Sequence, residues 1–166
     1  MDIFRLLKTG ELDGLLLAEE QSNVIAAMQQ VTSSEKVTIL EMNGVLVALS
    51  DGIEAHFIDG RMSNLIIKMA HYWGNSSLTI GSLEKKLHRR TSLERTIRLL
   101  DEVGVEWKFF QKYCCDKRVE LITEGSASLE FIADAGHIII NRIHLTEGEV
   151  YSDNPCKAEP FTGSAE

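Results

Sequence analysis

The sequence predicts an α+β protein of two similar halves, each a helical stretch followed by a four-stranded antiparallel meander. Three observations carry this. Asn43-Gly44, Asp51-Gly52 and Asp59-Gly60 are turn dipeptides spaced eight residues apart, and such pairs supply the positive φ angles that two-residue hairpins demand. Short apolar or alternating runs lie between them. A similar set of runs recurs later, where Phe131-Ile132-Ala133-Asp134-Ala135-Gly136 corresponds to Phe57-Ile58-Asp59-Gly60 with a two-residue insertion.

The elements follow in order. Asp2 to Lys8 reads as a short helix: Asp2 caps it, Ile3, Leu6 and Leu7 share a face, and Gly10 ends it. Ser22 to Gln30 has Val24, Ala27, Met28 and Val31 at helical spacing. Strands are expected over Val37 to Met42, Val45 to Ser50, Ile53 to Ile58 and Met62 to Met69. In the third, Ile53, Ala55 and Phe57 face one way while Glu54 and His56 face the other. His71 to Ser77 is a break, and Leu83 to Leu87 reads as a helical turn. Thr91-Ser92-Leu93-Glu94 is a capping-box pattern with Thr91 as N-cap and Glu94 three residues on, and Gly104 stops the helix. The second meander takes in Val105 to Phe110, a polar loop over Gln111 to Lys117, then Val119 to Thr123, Ser126 to Ile132 and Ile138 to Leu145.

The halves are bounded at 1–76 and 77–146, and residues 147–166, with both prolines, are expected to fray. Amphipathic strands bury one face. If the meanders join edge to edge, one continuous eight-stranded sheet results, with helices on one face and a broad surface on the other.

Composition narrows the classes of function. Net charge is −8 but unevenly spread: residues 1–60 hold ten acids and three bases, 61–118 six and twelve, 119–166 nine and two. Overall acidity argues against general nucleic-acid binding. No apolar run is long enough for a membrane span, and the opening residues Met1 to Arg5 lack the pattern of a secretory signal, so none is expected. Cys114, Cys115 and Cys156 are odd in number and not at ligand spacing, which suits reduced thiols in a cytoplasmic protein.

Candidate residues are few. The basic run Lys85-Lys86-Leu87-His88-Arg89-Arg90 suits docking of an acidic protein or phosphate, or equally a solvated face. Tyr72 and Trp73 lie between the halves and would serve as interface anchors or as core. Tyr72, Trp73, Lys85, Lys86, Arg89 and Arg90 are therefore the nominated partner-binding residues. Trp107, alternating with Val105 and Phe109, reads as buried. His56, His71, His88, His137 and His144 show no metal-ligand spacing. No nucleotide loop or nucleophile elbow is present, so no cofactor is expected.

Two segments carry a resemblance. Ile3-x-x-Leu6-Leu7-x-x-Gly10-x-Leu12-Asp13-Gly14-Leu15, and Ser92-Leu93-Glu94 through Gly104-Val105-Glu106 to Leu145, resemble small, mostly uncharacterised bacterial proteins. Some of these are regarded as immunity-type partners of secreted toxins. The glycine-bearing turn usual after their second helix is absent at Met28-Gln29-Gln30. The tandem helix-plus-meander plan is also similar to the architecture of β-lactamase inhibitor protein, which binds its enzyme through a concave sheet; no site residue transfers from it.

The expected function is therefore a non-catalytic protein-binding module, immunity-like, holding a partner on its sheet or inter-half surface. Two alternatives stand beside it. One is a secretion chaperone, which would need a helix over 138–160. The other is a small enzyme or ligand-binding protein with a pocket between sheet and helices, using His56, His137 or the cysteines. An edge-strand homodimer stays open.

Overall fold

The computed structural model describes residues 1–32, 36–72, 77–82, 84–110 and 117–147. In chain order the elements are α1 (Phe4–Thr9), α2 (Gln21–Thr32), β1 (Thr38–Met42), β2 (Val45–Ser50), β3 (Ile53–Ile58), β4 (Arg61–Lys68), a 3₁₀ turn (Met69–His71), β5 (Leu78–Thr79), β6 (Lys86–Leu87), α3 (Leu93–Val103), β7 (Trp107–Phe109), β8 (Arg118–Thr123), β9 (Ser128–Asp134) and β10 (His137–Thr146).

The Asx-Gly pairs make the first three hairpins. Both residues of each pair have positive φ: 53° and 80° at Asn43-Gly44, 38° and 84° at Asp51-Gly52, 50° and 75° at Asp59-Gly60. Turns of this kind twist with the strands they join. Ala135-Gly136 closes the β9–β10 hairpin in the same way, with φ of 46° and 84°.

Eight strands form one antiparallel sheet in the order β1-β2-β3-β4-β10-β9-β8-β7. The two runs thus meet through their last strands, with Ile67 opposite Ile143 and Leu65 opposite Leu145. Register assigns the faces. One carries Ala48, Ile53, Ala55, Phe57, Leu65, Ile67, Leu121, Leu129, Phe131, Ile140, Ile143 and Leu145, all within a single apolar core. That core also contains Leu6 and Leu7 of α1, Val24 and Met28 of α2, and Leu99 and Leu100 of α3. The helices therefore cover this face. Among the described residues no helix lies on the other.

Two local expectations are corrected. Residues 84–87 are not a helical turn: Leu78 and Thr79 pair with Leu87 and Lys86 as a small hairpin, and its apolar members Leu78 and Leu87 are fully buried. The α3 N-cap is Ser92 rather than Thr91, and its hydroxyl accepts the Arg95 N–H at 3.2 Å. Thr91 is drawn inward instead; its hydroxyl accepts the His88 N–H and its carbonyl the Ile140 N–H. The expected loop over 111–117, the tail from 148, and Trp73, Cys114, Cys115 and Cys156 fall wholly or almost wholly outside the described residues.

The end of α1 locks onto the far meander. Its last carbonyls need donors from outside the helix, and Gly125, in the β8–β9 turn, donates its N–H to Leu7 O at 3.0 Å. A Cβ at Gly125 would lie 2.6 Å from both Leu6 O and Gly10 N, all of it backbone that has nowhere to go. Gly125→Ala is therefore expected to destabilise the fold by about 2 kcal/mol, in the range for forced overpacking. Urea denaturation checks this: its midpoint should fall further than in Gly44→Ala, where the new Cβ meets only open space.

Candidate functional site

The strand register lays the helix-free face out in cross-strand rows. At one corner Met42, Val45 and Ile58 stand in line, with Arg61 opposite Ile58 at its end. The next row is Leu40, Val47, His56, Asn64 and Thr146. The third is Thr38, Leu49, Glu54, Ile66, His144, Ser128, Ile122 and Lys108. The fourth is Lys68, Arg142, Glu130 and Glu120. The face is thus apolar where the early hairpins end and polar over the middle.

The apolar corner is open to solvent. Met42 is 57% exposed, Ile58 56% and Leu40 42%. With half-buried Val45 between Met42 and Ile58, they form an apolar patch of the kind that marks contact surfaces.

The polar middle is the reverse: ionised, yet buried. Glu120 accepts from His144 Nε2 at 3.0 Å and from Arg118 at 2.6 Å. Arg118 also reaches Glu130 at 2.9 Å. Glu130 accepts from Arg142 at 2.9 Å and from Asn141, the extra residue of the β10 bulge, at 2.5 Å. His144 Nδ1 lies 3.3 Å from Thr146 Oγ1, which donates to Asn64 Oδ1 at 3.1 Å. The chain of bonds thus runs across β4, β10, β9 and β8. Glu120 is fully buried, and Arg118 and Arg142 are its more exposed neighbours.

Burial pushes the Glu120 carboxyl up, but the hydrogen bonds from His144 and Arg118 outweigh it and hold the group below the usual glutamate range. A smaller relative of this cluster sits in the first run. Glu54 bonds His56 at 2.6 Å and pairs with Lys68; burial raises its pKa, and those two partners more than reverse the effect.

Ser128, His144 and Glu120 together invite a hydrolase reading, and the geometry opposes it. Ser128 Oγ is fully buried and has no hydrogen-bond partner among the described residues. Both ring nitrogens of His144 are already engaged, so neither is aimed at that hydroxyl as a base. Among the described residues no group of three or more His, Cys, Asp or Glu side chains is placed to hold a metal ion.

The nominated residues lie elsewhere. Tyr72 ends the 3₁₀ turn half-buried, its phenol pushed up to about 12 by burial and by Asp51. Its carbonyl accepts the Arg89 N–H at 3.0 Å, so Tyr72 and Arg89 do adjoin. Lys85 is paired with Glu102. Lys86 and Arg90 line an open concavity of about 430 Å³ with Glu84, His88, Thr91, Ser92 and Arg95. Trp107 is only half-buried, and its indole N–H donates to Asp101 at 2.8 Å. Of the residues nominated from the sequence, Lys86 and Arg90 line this concavity, and none belongs to the apolar corner or the polar network of the helix-free face. His144 and Glu120 are 24 residues apart in the chain, so the clue was limited to their polar places in alternating strands.

Among the described residues no helix is long and apolar enough to cross a membrane. Comparison with protein-family models, with curated proteins and with solved structures gave no match.

The acid response of the network follows from its sign. Glu120 and Glu54 have pKa values held below their ordinary 4.5, so the stability they add is present above about pH 4.5 and is lost as pH falls through the lowered values. Glu120→Gln should cost about 3 kcal/mol at pH 7, because Arg118 loses a buried counter-charge and His144 the carboxylate it bonds. It should also flatten the fall in stability below about pH 4.5. Urea titrations of both proteins across pH 2 to 7, pH values set on the order of one unit apart, check the two effects together.

Proposed function

We propose that the chain is a non-catalytic protein-binding module that holds a partner protein against the helix-free face of its sheet. The observation that carries this reading is the exposed corner formed by Leu40, Met42 and Ile58 beside a hydrogen-bonded polar field. Apolar side chains supply the affinity of a contact and a polar surround sets its register. Specific interfaces bury about 1,200–2,000 Å² in total, and the exposed corner at Leu40, Met42 and Ile58 would supply the apolar part of such a contact.

An immunity-like role, in a cytoplasmic bacterial protein that neutralises a toxin by occupying it, is the favoured form of this reading. The secretion-chaperone alternative calls for a helix beyond residue 138, whereas residues 138–146 belong to strand β10. The basic concavity at Lys86, Arg90 and Arg95, with Arg89 adjoining in the chain and Tyr72 by a backbone bond to Arg89, is a second contact suited to an acidic region of the same partner. Two features weaken it as the main site: Glu84 lines it, and Lys85, next to it in the chain, is neutralised by Glu102.

The two-run plan suits an origin by duplication. Phe57 and Phe131 each sit in the third strand of their run, ahead of a turn with two positive φ angles. The sheet order reads the same from either end when the runs are exchanged.

Affinity capture from native lysate, with neighbouring gene products included, tests the proposal. The wild-type chain should retain one specific protein, and Ile58→Lys should lose it while melting as the wild type does. Lys86→Glu with Arg90→Glu should weaken capture less. Loss of capture only in the basic variant would move the site to the concavity, and absence of any specific protein would overturn the reading.

A further inference from the structure

The two outer strands of the sheet are unequal. β7 is three residues long, carries Lys108, and has its Trp107 tied to Asp101. These are ordinary ways of closing an edge: shortness, a lysine, a covering contact. β1 has none of them. All five of its residues, Thr38 to Met42, are exposed, with Ile39 at 48%. No bulge interrupts its register with β2, and its single charge is Glu41.

An outer strand bonds its neighbour through alternate residues and turns the remaining N–H and C=O groups outward. Along β1 those outward groups have no partner within the chain among the described residues. What fits such an edge is another strand. The backbone geometry offers this pairing over and above the exposed side chains, with the second strand replacing water at those groups.

We propose that β1 pairs antiparallel with β1 of a second copy, joining two eight-stranded sheets about a two-fold axis at Leu40. The strand is self-complementary in that register. Leu40 meets Leu40, Thr38 meets Met42, and Ile39 meets Glu41, so all five residues are paired and no two like charges face each other. On the helix-free side the Val47–Leu40 row of each copy joins that of the other through the Leu40–Leu40 contact, with Met42 of each opposite Thr38. A register centred on Glu41 would instead set two carboxylates face to face.

Charge decides the character of the dimer. Each copy carries a net charge of −8, and residues 1–60 of each hold ten acids against three bases. Overall repulsion therefore opposes the association, which backbone pairing and apolar contact drive. Salt screens the repulsion and strengthens the dimer, the opposite of what it does to docking by charge attraction. A five-residue edge pair buries less than the roughly 1,200 Å² of a stable interface, so the dimer is reversible. This inference does not rest on the partner-binding reading, because Ile58 lies two strands in from the edge.

Sedimentation of the full chain from about 5 µM to about 500 µM, at about 0.05 and 0.5 M salt, tests it. The mean mass should climb from 18.6 kDa toward twice that value, and do so at lower concentration in the higher salt. Leu40→Lys sets two ammonium groups together on the axis and should stay monomeric, while Ile58→Lys should dimerise as the wild type does. A wild-type mass fixed at one chain throughout would overturn the proposal. So would a Leu40→Lys variant that dimerises normally, or a mass that grows past two chains.

Discussion

The pairing of β4 with β10 is the contact on which the rest of the molecule depends. Five residue pairs, from Lys68 opposite Arg142 to Asn64 opposite Thr146, turn two hairpin runs into one sheet. On one side of this seam Leu65, Ile67, Ile143 and Leu145 extend the core beneath the helices. On the other, Ile66 and His144 stand together, and Thr146 bonds Asn64. Without the seam each run would present another unpaired edge, and the polar network would lose its link from β10 to β4.

That network also constrains the register of the later strands. A slip by one residue in β8 or β9 would turn Glu120 or Glu130 toward Leu121 and Leu129, which lie in the apolar core. Burying carboxylates is costly, and a fully apolar layer of the same shape would be at least as stable. What the charges add is discrimination, because the strands fit in one alignment only. The early hairpins follow a different rule. Their turns set the alignment, and their helix-free face is left apolar and open at Leu40, Met42 and Ile58.

Local chemistry was the legible part of the sequence. Asn43-Gly44, Asp51-Gly52 and Asp59-Gly60 announced their turns, and strands β2 and β3 fall at the residues those turns dictate. Gly10 and Gly104 ended their helices for the same reason, with φ of 77° and 69°. Failures came where two local solutions compete or where distance in the chain is large. Thr91 and Ser92 both offer a capping hydroxyl, and the choice fell to Ser92 because Thr91 is pulled against β10. The pair β5 and β6 has two residues in each strand, too few for any periodicity to register. The basic run was visible as a cluster of letters, but nothing in them foretold that Lys85 would be spent on Glu102. The helix-free face was invisible because its rows are assembled from strands far apart in the chain, eight of them in the longest row.

Hydroxyl-radical footprinting of the chain, alone and with its captured partner, tests the central claim most directly. If the partner lies on the helix-free face, modification of Met42 and Ile58 should fall sharply in the complex, with the outer sides of α2 and α3 labelled as before. Ile58 carries the greater weight, since pairing of β1 with another copy leaves it uncovered. Undiminished labelling of Ile58 in a saturated complex would contradict the account.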